Sequence, residues 1–274
     1  MSIIAAGSTL AALQIRPRLE PLENRILLCH ALGLERIGLI TQSERALTAD
    51  EAARLSTLIG RRLNGEPIAY IVGQREFYGL PFLVSDAVLI PRPDTELLVE
   101  LALARLRPHG RLLDMGTGSG AIAVAVAHTR PDAVVSALDA SDAALAVARH
   151  NASANDVNVN FMHSDWYGAL GGANFDVIVA NPPYIASADQ HLTQGDLRFE
   201  PMDALTDHGD GLSALRIIVA GAARHLVAQG WLLMEHGYDQ SDAVRALLHA
   251  HGFTEVQSWP DLAGILRVSG GRRN

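Results

Sequence analysis

Cysteine is nearly missing from this chain. Cys29 stands alone, so no intramolecular disulfide can form, and a reducing, cytoplasmic setting is the simplest expectation. It lies in an apolar helical pattern with Ile26, Leu27, Leu28 and Leu32 and reads as packing. No apolar run is long enough for a membrane helix. Met1 to Leu13 lacks the basic start and cleavage pattern of a signal peptide and reads as an amphipathic helix. The 11 histidines show no ligand spacing with cysteines or carboxylates, which argues against a metal site. Lysine is absent altogether, so all 22 basic side chains are arginines. Repeats and low-complexity segments are absent as well.

Positive charge is scarce where it would matter for nucleic acid. Before residue 85 there are 9 arginines and 8 acidic residues, after it 13 and 22, so the net charge of −8 divides into about +1 and −9. An acidic main part argues against a stable nucleic-acid partner, which needs a basic face to neutralise phosphates. It suits a basic protein or loop as substrate. With 274 residues, 49% of them hydrophobic, the chain can fill one large core and a small companion.

Residues 1 to about 70 read as short helices broken at Pro17, Pro21 and Gly33, with a further helix from about Thr48 to Asn64 opened by an acidic first turn. Residues 71–85, rich in Gly and aromatics, suggest an extended or hairpin linker to the larger domain, 86–274. Strand-like runs come next near Arg111, Val134, Val157, Phe175, Gly230 and Phe253, with a last one at Ile265 to Ser269. Helical patterns separate most of them, which predicts an α/β fold, a twisted sheet with helices on both faces.

Three stretches carry chemistry. The apolar run Phe175 to Ala180 ends in Asn181-Pro182-Pro183-Tyr184. It reads as a buried parallel strand, and ligands bind at the carboxyl ends of such strands. The prolines supply no N–H donors. A planar NH2 group therefore suits the site, with the Asn181 side-chain oxygen and the Pro182 carbonyl each accepting one hydrogen and the Tyr184 ring packed nearby. A Pro-rich turn after a core strand is the structural alternative. Upstream, Leu112 to Met115 runs into Gly116-Thr117-Gly118-Ser119-Gly120 and then an apolar helical pattern. Such a loop lets a nucleotide-type ligand approach the backbone, although the spacing is not that of the dinucleotide fingerprint. A plain strand-to-helix turn has the same look. Asp139 ends the next strand about twenty residues beyond the glycines, where a ribose diol would be gripped, or else caps the helix beginning near Ser141.

Together these motifs resemble the class I S-adenosylmethionine-dependent methyltransferases. Glu66 to Gly73, Glu76-Phe77-Tyr78, Leu89 to Glu96, Phe199-Glu200-Pro201, Glu235 to Gln240 and Asp261 to Val268 narrow the resemblance to the peptide chain release factor N5-glutamine methyltransferases. The likeness runs from about Glu66 to Gly270, with the earlier residues similar mainly as a helical module. Met115, where the family more often has Leu, and Gln257 to Pro260 depart from the pattern.

The resemblance implies a Rossmann-like methyltransferase sheet with its last strand antiparallel, and an N-terminal helical domain that docks the substrate. It implies S-adenosylmethionine held by Gly116, Thr117, Gly118, Ser119, Gly120 and Asp139, with Trp166 against the adenine and Asn181 nearby. The acceptor would be the glutamine of the Gly-Gly-Gln motif of class I release factors, held by Asn181, Pro182, Pro183 and Tyr184. Of these Asn181, Pro182 and Tyr184 would be catalytic. A monomer without membrane attachment is the accompanying expectation. Arg92 and Asp94 either line the cofactor entrance or fix the interdomain turn. The acidic segment after Tyr184 is expected to be a lid, its carboxylates either solvated or facing a basic loop of the substrate. The same tetrapeptide would also present the exocyclic amine of adenine, so an N6-adenine nucleic-acid methyltransferase is the alternative. A cofactor sensor without turnover is a third reading.

Overall fold

The computed structural model describes residues 3–15 and 17–274 and divides into two compact units, Met1–Gly73 and Gln74–Asn274. The first holds helices α1 (Leu10–Ile15), α2 (Pro21–Leu32), α3 (Arg36–Thr41), α4 (Ala49–Leu63) and α5 (Ile68–Val72). Pro21 opens α2 and Gly33, at φ 62°, ends it. Thr48 and Glu51 form a reciprocal cap on α4, which satisfies two N–H groups that the first turn cannot. Leu27 and Leu28 of α2 pack on Leu55 and Ile59 of α4, with Cys29 half-buried beside them and its thiol pushed up by burial. The helix expected over Met1 to Leu13 is restricted to Leu10–Ile15. Gly7, at φ 83°, starts a bridge in which Gly7 N donates to Leu47 O (2.9 Å) and Leu47 N to Ser8 O (2.9 Å). Those pairings put Gly7 in a turn and Thr9 in a bridge to Ala46, ahead of the helix. Met1 and Ser2 lie outside the described residues.

The second unit begins with a hairpin, β1 (Gln74–Phe77) and β2 (Leu80–Leu83), turned by Tyr78 and Gly79 at φ 52° and 76°. Residues 71–73 thus close the first unit, and the rest of the expected linker is a built part of the second. Seven further strands form one sheet: β3 (Arg111–Met115), β4 (Val134–Asp139), β5 (Asn160–His163), β6 (Phe175–Ala180), β7 (Leu226–Glu235), β8 (Thr254–Pro260) and β9 (Leu266–Arg272), in the order β5-β4-β3-β6-β7-β9-β8. β9 is antiparallel to both neighbours, and the remaining pairs are parallel. The strand expected near Val157 starts only at Asn160. Asp156, at φ 54°, and the bond from Val157 N to Ala152 O still belong to the end of the preceding helix.

Helices α6 (Glu96–Arg105), α7 (Ala121–Thr129), α8 (Asp142–Ala154), α9 (Met202–Leu205), α10 (Ser213–His225) and α11 (Ser241–Ala250) complete the unit. Period-two alternation decides the faces. Leu112, Val177, Val179 and Leu233 pack under α6 and α7, while Leu113, Met115, Ile178 and Leu232 pack under α10 and α11. Chain order reverses on either side of β3, with β4 and β5 to one side and β6 and β7 to the other. This switch opens a crevice at the carboxyl ends of β3 and β6. Among the described residues no helix is long and apolar enough to cross a membrane.

Candidate active site

A cavity of about 380 Å³ occupies that crevice, lined by Gly116 to Ser119, Leu138 to Ser141, Ser164 to Trp166, Asn181, Pro183, Thr95 and Arg92 among others. The glycine loop closes on β4, because Gly116 N and Thr117 N both donate to Leu138 O at 2.9 Å. Gly118, at φ 55°, donates its N–H to Asp139 Oδ2 at 2.8 Å, and a side chain there would project into open space. Gly120, at φ 82°, has its missing Cβ only 3.1 Å from Ala148 Cβ, so the loop lies against α8 only as glycine. Asp139 Oδ1 accepts from Ser141 N at 2.9 Å, and Ser141 itself caps α8 through Ala144 N. Asp139 is therefore not the helix cap. It braces the glycine loop and faces the cavity.

Under the loop, Asp114 is fully buried. Its Oδ2 accepts from Thr117 Oγ1 (2.6 Å) and Ala123 N (3.2 Å), while Oδ1 has no partner among the described residues. Burial pushes this carboxyl up to about 7, against the pull of those two hydrogen bonds. Trp166 stands on the cavity wall with its backbone in the left-handed region at φ 45°, where Ser164 Oγ donates to its carbonyl at 2.8 Å.

At the end of β6, Asn181 and Pro183 line the cavity, and Asn181 Nδ2 donates to Thr95 Oγ1 at 3.2 Å. Pro182 is buried behind them, and its carbonyl accepts nothing from the described residues. Tyr184 is not among the lining residues; its hydroxyl donates to Glu235 Oε1 at 3.2 Å, and burial pushes that phenol upward. Gln240 clamps the same segment, donating to Tyr184 O at 2.9 Å and accepting from Gly237 N at 2.9 Å. The residues Glu235 to Gln240 thus act as a bracket around the tetrapeptide.

Arg92 lines the cavity and pairs with Glu200, whose side chain is fully buried and whose Oε2 accepts from Ile90 N at 3.0 Å. Asp94 stands 3.7 Å from Arg267. Most carboxylates of the acidic segment are engaged locally. Asp189 receives His191 N, Asp203 pairs with His208, Asp207 receives Gly209, Gly211 and Ser213 N, and Asp210 pairs with Arg216. The segment expected as a lid is pinned in the described conformation by Glu200 and by the Ile185–Thr206 bridge.

Thr95, Asp114 and Glu235 have no role in the motif reading. Glu235 carries the same signal as Asn181, a polar side chain closing an apolar run (Trp231 to Met234) at the carboxyl end of a strand. Thr95 has no such signal, since only the fold brings it to Asn181.

An open, mostly parallel sheet switched at β3, a glycine loop entering α7 and a carboxylate ending β4 define a Rossmann-like methyltransferase, and the methyltransferase small domain model matches residues 93–210. The PrmC N-terminal domain model matches residues 6–73. Among solved structures, a methyltransferase from Pyrococcus furiosus has the same fold, with a TM-score of 0.57 at 19% identity over 80% of this chain and 99% of that one. Curated relatives are far more similar. A release factor glutamine methyltransferase from Burkholderia pseudomallei is 53% identical over 97% of this chain and 96% of its own. One from Neisseria gonorrhoeae is 50% identical over 93% and 94%. The chain belongs to the release factor glutamine methyltransferase family.

Proposed function

We propose that the protein transfers a methyl group from S-adenosylmethionine to the side-chain amide nitrogen (N5) of the glutamine in the Gly-Gly-Gln motif of class I peptide chain release factors. One observation carries this reading beside family membership: Asn181 and the glycine loop line a single cavity, so an amide acceptor and a nucleotide-type donor would meet there. The donor fits the residues present. The open space before Gly118, the Asp139 oxygens at the rim and the indole of Trp166 suit a backbone-hugging chain, a ribose diol and a flat base. Gly116 to Gly120, Asp139, Trp166 and Asn181 would hold it. When bound, it supplies an electrophilic methyl group on a sulfonium.

The protein's own part is positioning. An amide nitrogen is a weak nucleophile because its lone pair is delocalised, so orientation carries much of the rate. Asn181 Oδ1 and the Pro182 carbonyl each accept one N–H of the substrate amide, which aims the nitrogen and stabilises the positive charge that develops on it. An N-protonated amide is a strong acid, so the departing proton needs no dedicated base. Pro183 walls the acceptor side, and Tyr184 fixes the tetrapeptide through Glu235 and Gln240. The first unit contributes docking of the release factor, and the acidic second unit suits a basic loop. The protein acts as a cytoplasmic monomer without a stable nucleic-acid partner.

Labelled methyl transfer tests the reaction, run in parallel on unmodified release factor, its Gly-Gly-Gln variant with Gln replaced by Ala, and DNA. Label on the wild-type factor alone is expected, and label on DNA alone would replace the substrate. Asp139→Ala is expected to weaken S-adenosylmethionine binding at least about tenfold, since hydrogen bonds to a charged group contribute about 1.5–3 kcal/mol. Calorimetric titration checks this, and unchanged affinity would remove Asp139 from the cofactor site.

A further inference from the structure

Glu235 is a buried titratable group whose ionisation plays no part in the proposed mechanism. It ends β7, and the pairing of Ala180 with Met234 places it beside Asn181 across the β6–β7 seam. Its side chain is nearly inaccessible, at 2% exposure, yet Oε2 has no hydrogen-bond partner among the described residues. Oε1 takes the Tyr184 hydroxyl, and the Thr95 hydroxyl bears on the same carboxylate. Thr95 also receives Asn181 Nδ2. Tyr184 thus donates to Glu235 and Asn181 to Thr95, and the Thr95 hydroxyl, which bears on the Glu235 carboxylate, is placed to join these two hydrogen bonds into one chain that ends at the amide facing the cavity.

We infer that the Glu235 carboxylate sets the direction of this chain and thereby decides which end of the Asn181 amide is offered to the substrate. The inference rests on the reading of Asn181 as acceptor. A hydroxyl has one hydrogen to give. An ionised carboxylate only accepts, so it takes the Thr95 hydrogen and leaves the Thr95 oxygen to accept from Asn181 Nδ2. Asn181 Oδ1 then remains for the substrate NH2. A protonated Glu235, or a glutamine in its place, can donate to the Thr95 oxygen instead. Thr95 then gives its hydrogen to Asn181 Oδ1, the amide reverses, and two NH2 groups oppose each other. Glu235 is a positioning residue and does not touch the substrate.

The chain is poised to titrate in the working range. Burial, opposed by Thr95 and Tyr184 and then reinforced by Asp94 against Arg267, pushes Glu235 up to about 7. The other charged or titratable groups around it are accounted for. Arg267 is shared between Asp94 and Asp261, Arg92 lies towards Tyr184, and His236 is held by Gly237 O and Ser269 with its basicity lowered by burial. Because the ionised form is the competent one, the rate should rise with pH and level off above the inflection. Asp114 also reaches about 7, but it lies under the glycine loop and its titration would act on cofactor binding.

The test is the single-turnover rate of methyl transfer to release factor, at saturating S-adenosylmethionine, over about pH 6 to 8.5. Wild type is expected to gain about tenfold in all between pH 6 and the plateau, with an inflection near 7. Glu235→Gln should be at least about tenfold slower at pH 8 and flat across the range, with cofactor affinity within about twofold of wild type. Thr95→Val, which cuts the chain at its middle, should be slow and flat in the same way, and decides the matter if Glu235→Gln proves unstable. A wild-type rate without inflection, or an inflection that persists in the variants, overturns the inference. So does a Glu235→Gln rate close to wild type at pH 8. If wild type labels no release factor at any pH, the substrate assignment itself has failed, which is a separate result.

Discussion

Asn181→Ala is expected to lower the rate of methyl transfer at least tenfold, about the effect of losing one oriented hydrogen bond of roughly 1.5 kcal/mol. The true loss should exceed this floor, because the side chain does two things at once. In the proposed mechanism it accepts one amide hydrogen, and its bond to Thr95 fixes the acceptor in place. Truncation removes both, leaving the Pro182 carbonyl to hold a substrate amide that can rotate about its remaining bond. Release factor binding should change much less than the rate, since a protein substrate is held over a broad surface. Separate measurement of single-turnover rate and release factor affinity checks the prediction. Turnover near normal would remove Asn181 from the mechanism.

The largest stability effect is expected at Glu200→Ala, a loss of about 2–3 kcal/mol, from the range for breaking a buried, hydrogen-bonded charge pair. The loss sits at or below the low end of that range because Arg92, with its side chain 35% exposed, can turn to water once its partner is gone. The Ile90 N–H cannot, since Ile90 is buried and Glu200 Oε2 is its acceptor. A melting-temperature fall of about 5 °C or more should accompany it in thermal denaturation. Limited proteolysis should find new cleavage within residues 185–210. If the segment instead melted independently in the wild type, Glu200 would be a surface tether and the fall would vanish.

Local chemistry was legible in the sequence, and long-range partnership was not. The tetrapeptide, the glycine loop and Asp139 could be read because each is a strand end declared by the residues before it. The roles of Thr95 on Asn181, Glu235 on Tyr184 and Glu200 on Arg92 could not, since those pairs lie 86, 51 and 108 residues apart. Motif likeness flagged Glu200 and Glu235 without saying what they touch. The difference at the N-terminus has the same origin. Gly7 and Ser8 fall within the expected helix, but Gly7 N and Ser8 O are bonded to Leu47, about forty residues on.

The sheet places the two halves of the reaction on different pairs of strands. β3 and β4 end in the loop and carboxylate proposed for the donor, and β6 and β7 end in Asn181 and Glu235, proposed for the acceptor. A continuous ladder from Leu112–Val177 to Met115–Ala180 joins the halves, so their separation is set by backbone and not by side chains. Changes of acceptor can therefore be confined to the segments that leave the carboxyl ends of β6 and β7. The donor half can stay untouched while new nucleophiles are tried against it, which makes this sheet a chassis for diversification as well as a catalyst.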